Sequence, residues 1–243
     1  MTVELVIFDM AGTTVRDKKE VETCFAKALK RSGLNISEER ILALQGWAKS
    51  RVFHLLWAEQ IGDDHPEFEE KAETSYTLFR KILENHYKEH PVVPQPFAEE
   101  VLMWLKDNNI KTALTTGFYR EVTDILLKQL GWNKGLNEDY IGGEDSIIDL
   151  SICSDDVEKG RPAPDMIHLA MEKLQVSDKS KIVNVGDTPS DLQSAEAARV
   201  GLSVGVLNGT HSKNQLESLT HDVLINDLSG LKEFISAPQE LVI

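Results

Sequence analysis

The chain has 243 residues, 41% of them hydrophobic and 27% charged, enough apolar material for a full core in the balance of a globular protein. Its 40 acidic against 26 basic side chains leave a net charge of −14, so most of its surface would repel a nucleic-acid backbone or an anionic membrane. Cys24 and Cys153 are too few for a disulfide framework, no apolar run is long enough to span a bilayer, and no basic segment precedes a signal-like stretch; the chain reads as a cytoplasmic enzyme with neither nucleic acid nor membrane as partner.

Leu5, Val6, Ile7 and Phe8 predict a strand that ends in Asp9 and runs at once into the turn Met10-Ala11-Gly12-Thr13-Thr14. A strand that ends in a carboxylate and a tight turn presents that carboxylate at the carboxyl edge of an α/β sheet, where ligands bind. From about Asp17 to Pro91 apolar residues recur at helical spacing, through Val21, Phe25, Ala28 and Leu29, then Ile41 to Leu44, Val52 to Leu56, and Phe68 to Tyr87. Ser37, followed by Glu38 and Glu39, supplies one of these helices with an N-cap and an acidic first turn. The block is strand-free, and the segment Pro91 to Pro96, with prolines at 91, 94 and 96, closes it as a linker.

Beyond the linker, helices alternate with short apolar runs: helix 97–108, strand 110–115, helix 119–130, strand 150–154, helix 163–175, strand 181–185, helix 189–199, strands 202–206 and 222–225, and helix 227–235. Such alternation implies an α/β fold with a mainly parallel sheet wrapped by helices. The predicted organisation is a discontinuous core, residues 1–15 and 93–243, with a helical insertion over residues 16–92.

Three further motifs fall at predicted strand ends, as Asp9 does. Thr115-Thr116-Gly117 places hydroxyls and backbone N–H groups where they could hold a phosphoryl oxygen, or simply cap the helix that follows. Gly160-Arg161-Pro162 offers the planar fork of Arg161 to a phosphonate or phosphate, with Lys159 as a competitor in the same loop. Gly186-Asp187-Thr188-Pro189-Ser190-Asp191 sets two carboxylates four residues apart at a strand end, which suits a small hard cation such as Mg²⁺ that also touches a phosphoryl group. On a chain this acidic, a small anionic substrate needs such a local positive site.

Taken in order, these motifs resemble those of the haloacid dehalogenase superfamily, and the forms DMAGTT and GRP are similar to its phosphonoacetaldehyde hydrolase (phosphonatase) branch and phosphonatase-like relatives. The resemblance spans the whole chain. It implies a Rossmann-like core with an inserted all-helical cap domain and a possible homodimer. It also implies Asp9 as nucleophile, with Asp9, Asp187 and the Ala11 carbonyl as direct magnesium ligands, Asp191 supporting them, and Thr115, Thr116, Gly117 and Arg161 on the phosphoryl group. Phosphatases of the superfamily carry an aspartate two residues past the nucleophile to protonate an alkoxide. Here that position is Ala11.

The insertion bears on the leaving group. Gln45-Gly46-Trp47-Ala48-Lys49 breaks the helical pattern at a glycine and delivers Lys49, which aligns with the cap lysine that in phosphonatase forms a Schiff base with its aldehyde. Cleaving a carbon–phosphorus bond would otherwise expel a carbanion, whereas an iminium at the adjacent carbon accepts the electron pair, and no acid at position 11 is needed. Lys49 could instead grip a phosphate, as a cation does at this point in related sugar-phosphate mutases, or lie on the helix surface. The family pattern is Met-Gly-Leu-Leu-Lys with a His three residues on; Gln45, Trp47, Ala48 and Val52 replace those residues, and His54 is out of register. The expected activity is hydrolysis of a 2-oxoalkylphosphonate such as phosphonoacetaldehyde, the alternatives being a phosphate monoester phosphatase or phosphomutase, or a non-catalytic phosphoryl-ligand binding protein.

Overall fold

In the computed structural model, which describes residues 2–236, six parallel strands form one sheet in the order β3-β2-β1-β4-β5-β6. They are β1 (Leu5–Asp9), β2 (Lys111–Thr115), β3 (Leu150–Ile152), β4 (Ile182–Gly186), β5 (Leu202–Val206) and β6 (Val223–Ile225). All five residues of β1 are buried because helices cover both faces of the sheet, and the period of two divides the strand: Val6 and Phe8 enter one apolar cluster, Leu5 and Ile7 the other. The chain reverses direction of growth across β1, with β2 on one side and β4 on the other, so the crevice at the carboxyl end of β1 is a topological switch point. Register places Asp9 opposite Thr115, and Phe8 opposite Val185, one residue before Gly186.

Between β1 and β2 the chain builds α1 (Glu20–Ser32), α2 (Glu38–Ala43), α3 (Lys49–Ile61) and α4 (Phe68–Glu89), then α5 (Ala98–Asp107) beside the sheet. The first four form the inserted helical cap. Its interior is an aromatic cluster in which Phe25 meets Phe53 at 5.4 Å and Phe79 at 5.9 Å between ring centroids, both edge-on. Helix α1 stops at Gly33, where φ of +82° suits glycine, and α2 starts at Ser37, whose hydroxyl accepts from the Arg40 N–H at 3.2 Å. The two passages of chain between cap and sheet run side by side. Arg16 N–H donates to the Val93 carbonyl at 2.9 Å, Gln95 N–H to the Thr14 carbonyl at 2.8 Å, and the Gln95 side chain to the Gly12 carbonyl at 2.8 Å.

The remaining helices are α6 (Arg120–Leu130), α7 (Asp165–Lys173), α8 (Pro189–Ala198), α9 (Lys213–Glu217) and α10 (Leu231–Ser236). Two features depart from the sequence expectation. The helix expected over 227–235 is a 3₁₀ turn at Leu228–Gly230 followed by α10, because the Asp227 carboxylate caps the turn through the Ser229 N–H at 2.9 Å. Helix α9 was not anticipated; it is five residues long, too short for a periodicity signal, and forms on a Ser212–Gln215 capping box. Phe53→Ala should lower the unfolding free energy by about 3–5 kcal/mol in urea titration, because the ring is fully buried between α1 and α4. A loss below about 1 kcal/mol would contradict this packing.

Candidate active site

The carboxyl ends of β1 and β4 bring three carboxylates together: one oxygen each from Asp9, Asp187 and Asp191 lies within 4.8 Å of the others, all buried. The turn after β1 is tight because the Met10 carbonyl accepts from the N–H groups of Thr13, Thr14 and Val15 at 3.2, 2.9 and 2.7 Å. Gly12 has φ of +97°, and a Cβ there would collide with the Asp187 carboxylate, so the turn passes where only glycine fits. Thr13 Oγ1 donates to Asp187 Oδ1 at 2.8 Å, and Thr210 donates both N–H and Oγ1 to Asp187 Oδ2 at 2.7 Å. Asp191 caps α8: its Oδ2 accepts from Thr188 N–H at 3.0 Å and from Thr188 Oγ1 at 2.6 Å.

Among the described residues, Arg161 supplies the one guanidinium at this cluster. It is 3% exposed, and its Nη1 reaches Asp9 Oδ1 at 2.6 Å and also pairs with Asp191 Oδ1. Its Nε and Nη2 are buried without a partner, two donors free for a planar anion. The electrostatics follow from this composition. Burial pushes the Asp9 carboxyl well above its ordinary range, which the Arg161 charge opposes and the Asp191 and Asp187 charges reinforce. Burial and the Asp191 charge push Asp187 up to about 6. Three buried carboxylates facing one guanidinium are short of positive charge, and their all-oxygen donor set fits a hard divalent cation.

The other motifs divide. Thr116 and Gly117 line the cavity beside Asp9, and Thr116 Oγ1, which accepts from the Phe118 N–H at 3.1 Å, keeps its own proton free to donate. Thr115 is not among the lining residues, since its hydroxyl leans toward the Phe8 carbonyl at 3.4 Å. The competitor Lys159 is exposed, and only its backbone N–H is engaged, with Asp165 at 3.3 Å.

From the cap side, the loop Gln45–Ala48 presses onto the same crevice. A Cβ on Gly46, where φ is +76°, would strike the Ser190 and Thr188 hydroxyls, and one on Gly117 would strike the Gly46 carbonyl. This loop sets Lys49 at the first position of α3, 6% exposed, with Nζ donating to the Leu44 carbonyl at 3.0 Å and the Trp47 carbonyl at 3.2 Å. The Phe25 ring centroid lies 5.3 Å from Nζ. Burial, with repulsion from Arg161, lowers the Lys49 ammonium to about 7. Asp9, Ala11 and Lys49 thus line one cavity of about 30 Å³.

Sequence reasoning missed Thr13, Thr210, Thr188, Gln45 and Asp17 as members of this site. Thr188-x-x-Asp191 carries a capping-box signature and could have been found. Thr210 reaches the site from the loop after β5 through tertiary folding, which leaves no local mark.

Known proteins agree with this geometry. The chain matches the haloacid dehalogenase-like hydrolase family over residues 3–199. It belongs to that family. It is 31% identical over 232 residues to the phosphonoacetaldehyde hydrolase of Bacteroides fragilis, an overlap of 90% of this chain and 81% of that one. It is 27% identical over 264 residues to a bifunctional phosphonoacetaldehyde hydrolase/aminoethylphosphonate transaminase of Clostridioides difficile, in which 99% of this chain matches 38% of the longer protein. Among solved structures, a hydrolase from Pseudomonas syringae superposes with a TM-score of 0.78 at 22% identity, over 96% of this chain and 98% of the other. A putative β-phosphoglucomutase from Bacteroides vulgatus also superposes, with a TM-score of 0.76 at 20% identity, over 96% of this chain and 87% of the other.

Gly46→Ala and Gly33→Ala both place a Cβ on a left-handed backbone, but only the first meets the core, since nothing lies near the Gly33 position. Gly33→Ala should leave turnover unchanged, whereas Gly46→Ala should lower kcat/KM by roughly ten-fold or more, the equivalent of about 1.4 kcal/mol of lost cap seating. Equal kinetic effects from the two substitutions would contradict the observed cap–core contact.

Proposed function

We propose that this protein hydrolyses the carbon–phosphorus bond of a 2-oxoalkylphosphonate, phosphonoacetaldehyde or a close relative, with Asp9 as nucleophile and Lys49 as imine-forming amine. The observation that carries this reading is a buried lysine with its ammonium lowered to about 7, in the same cavity as Asp9 and as an alanine at position 11. The relatives named phosphonoacetaldehyde hydrolase support it. A surface lysine would have no reason to be enclosed by Phe25 and two carbonyls.

In this reading the substrate enters when the cap, residues 16–92, lifts from the core 1–15 and 93–243, because a cavity of about 30 Å³ holds little more than water. Arg161 holds the Asp9 carboxylate through Nη1 and offers Nε and Nη2 to the phosphonyl oxygens, while the Thr116 hydroxyl and Gly117 take another. Mg²⁺, held by Asp9, Asp187 and the Ala11 carbonyl with Asp191 behind them, would offset the repulsion between the Asp9 carboxylate and the anionic phosphonyl group. Lys49, neutral for part of the time near pH 7, attacks the substrate carbonyl, and the resulting carbinolamine takes up a proton and loses its oxygen as water to form an iminium. Asp9 then attacks phosphorus in line, and the departing electron pair is accepted through the iminium as an enamine. Water hydrolyses the resulting aspartyl-phosphate. The cap loop bearing Gln45, Gly46 and Trp47 covers the reacting atoms and keeps solvent from the imine.

Three measurements test this. Chelation should abolish turnover of phosphonoacetaldehyde and Mg²⁺ should restore it; full activity in excess chelator would remove the metal from the account. kcat/KM should rise as pH increases through about 7, because Lys49 must lose a proton before it can attack, and Lys49→Arg should retain phosphate-ester turnover but lose phosphonate cleavage by at least about 10³-fold. Phosphonate cleavage by Lys49→Arg at the wild-type rate would assign Lys49 to phosphate binding instead.

A further inference from the structure

Ala11 leaves this site without the acid that related phosphatases place beside the nucleophile, yet the carbon expelled from phosphorus in the proposed reaction must gain a proton before the aldehyde can leave. Among the described residues lining the cavity, Asp17 is the one carboxylic side chain besides Asp9. It sits in the passage from the β1 turn to α1, where its Oδ1 accepts from the Glu20 N–H at 2.7 Å and fixes the start of the helix. The Glu20 carboxylate, which accepts from the Lys18 N–H, lies close enough for its charge to favour the protonated form of Asp17.

We propose that Asp17 is the proton donor to the leaving group, taking the place that Ala11 leaves open. The inference rests on the carbon–phosphorus reading for the identity of that leaving group. Burial, then the hydrogen bond and charge of Glu20, push the Asp17 carboxyl up to about 8, so it holds its proton at neutral pH. Glu20 is the ionised partner; burial opposes its ionisation, but hydrogen bonds from Asp17 and from backbone N–H groups hold it below the ordinary glutamate range. The groups facing Asp17 are Glu20 and Cys24 on α1, Lys49 on α3, Tyr87 on α4 and Asp187 after β4. Burial raises Cys24 to about 11 and raises Tyr87 as well, so both stay neutral while Asp17 titrates.

When the carbon–phosphorus bond breaks, its electron pair forms the enamine double bond and the iminium pair moves onto the Lys49 nitrogen. The enamine carbon takes the Asp17 proton, restoring the iminium and leaving Asp17 a carboxylate. Water adds to the iminium carbon, Asp17 recovers the proton released, and the aldehyde departs from a free Lys49 amine.

The test uses Asp17→Asn, which keeps the acceptor oxygen for the Glu20 N–H but cannot deliver the proton in this way. In a single turnover of phosphonoacetaldehyde by the Mg²⁺-loaded variant, phosphate should form at near the wild-type rate while acetaldehyde release slows by about 10²- to 10⁴-fold. The alkaline limb of the wild-type kcat profile, near pH 8, should disappear. Acetaldehyde release at the wild-type rate with an unchanged profile would overturn the proposal. If the wild-type enzyme cleaves no oxoalkylphosphonate, the carbon–phosphorus reading has failed, and the same variant is compared on an alkyl phosphate and on p-nitrophenyl phosphate. Loss confined to the alkyl ester, whose alkoxide needs the proton, supports Asp17 as donor; equal effects on both esters overturn it.

Discussion

Three carboxylates, Asp9, Asp187 and Asp191, share the buried end of the central strands with a single guanidinium, that of Arg161. Much of the surrounding structure serves to hold that unequal set in place. Thr13 and Thr210 hydrogen-bond to Asp187, Thr188 holds Asp191 through the cap of α8, and Gly12 lets the backbone pass over Asp187 where a side chain could not fit. Such a cluster is unfavourable for an isolated fold, because burying like charges raises the energy of every ionised form. It is consistent with a site built to receive positive charge, and a hydrolase acting on an anionic phosphoryl group has that requirement.

The cap meets this cluster with a different kind of chemistry. Lys49 adds a potential cation to the cavity, but burial and repulsion from Arg161 weaken its hold on a proton. Arg161 therefore has two effects: it partly neutralises the carboxylates below it and discourages a second positive charge above it. In the proposed carbon–phosphorus cleavage, the absence of an acid at Ala11 and the presence of an amine that can be neutral at Lys49 are complementary, since an iminium removes the need to expel a carbanion. An alkoxide leaving group would gain nothing from this arrangement.

Much of the fold was legible in the sequence because its strands are short apolar runs bounded by turns, and a parallel sheet buried on both faces writes that pattern plainly. Strands β1 and β5 match their expected limits, and the other strands differ by one or two residues at their ends. The convergence of Asp9, Asp187 and Asp191 was legible for a related reason: they lie at or shortly after the ends of β1 and β4, which parallel strands gather at one edge, whereas Arg161 reaches them from the loop beyond β3 and a 3₁₀ turn. The segment 131–149 and helix α9 were not legible, being stabilised by isolated bridges such as Leu136–Gly142 and by a local cap rather than by periodicity. Asp17 was missed because nothing local distinguishes it from the other acidic residues near α1; its enclosure arises only when the cap folds over the sheet.

The central claim is that Lys49 forms a covalent imine during turnover. The most direct measurement is peptide mass analysis after borohydride is added to the Mg²⁺-loaded enzyme during turnover of phosphonoacetaldehyde. Irreversible inactivation and a two-carbon reduced adduct on the peptide that contains Lys49 are expected. Full activity and an unmodified Lys49 peptide, under conditions where the substrate is being consumed, would contradict it.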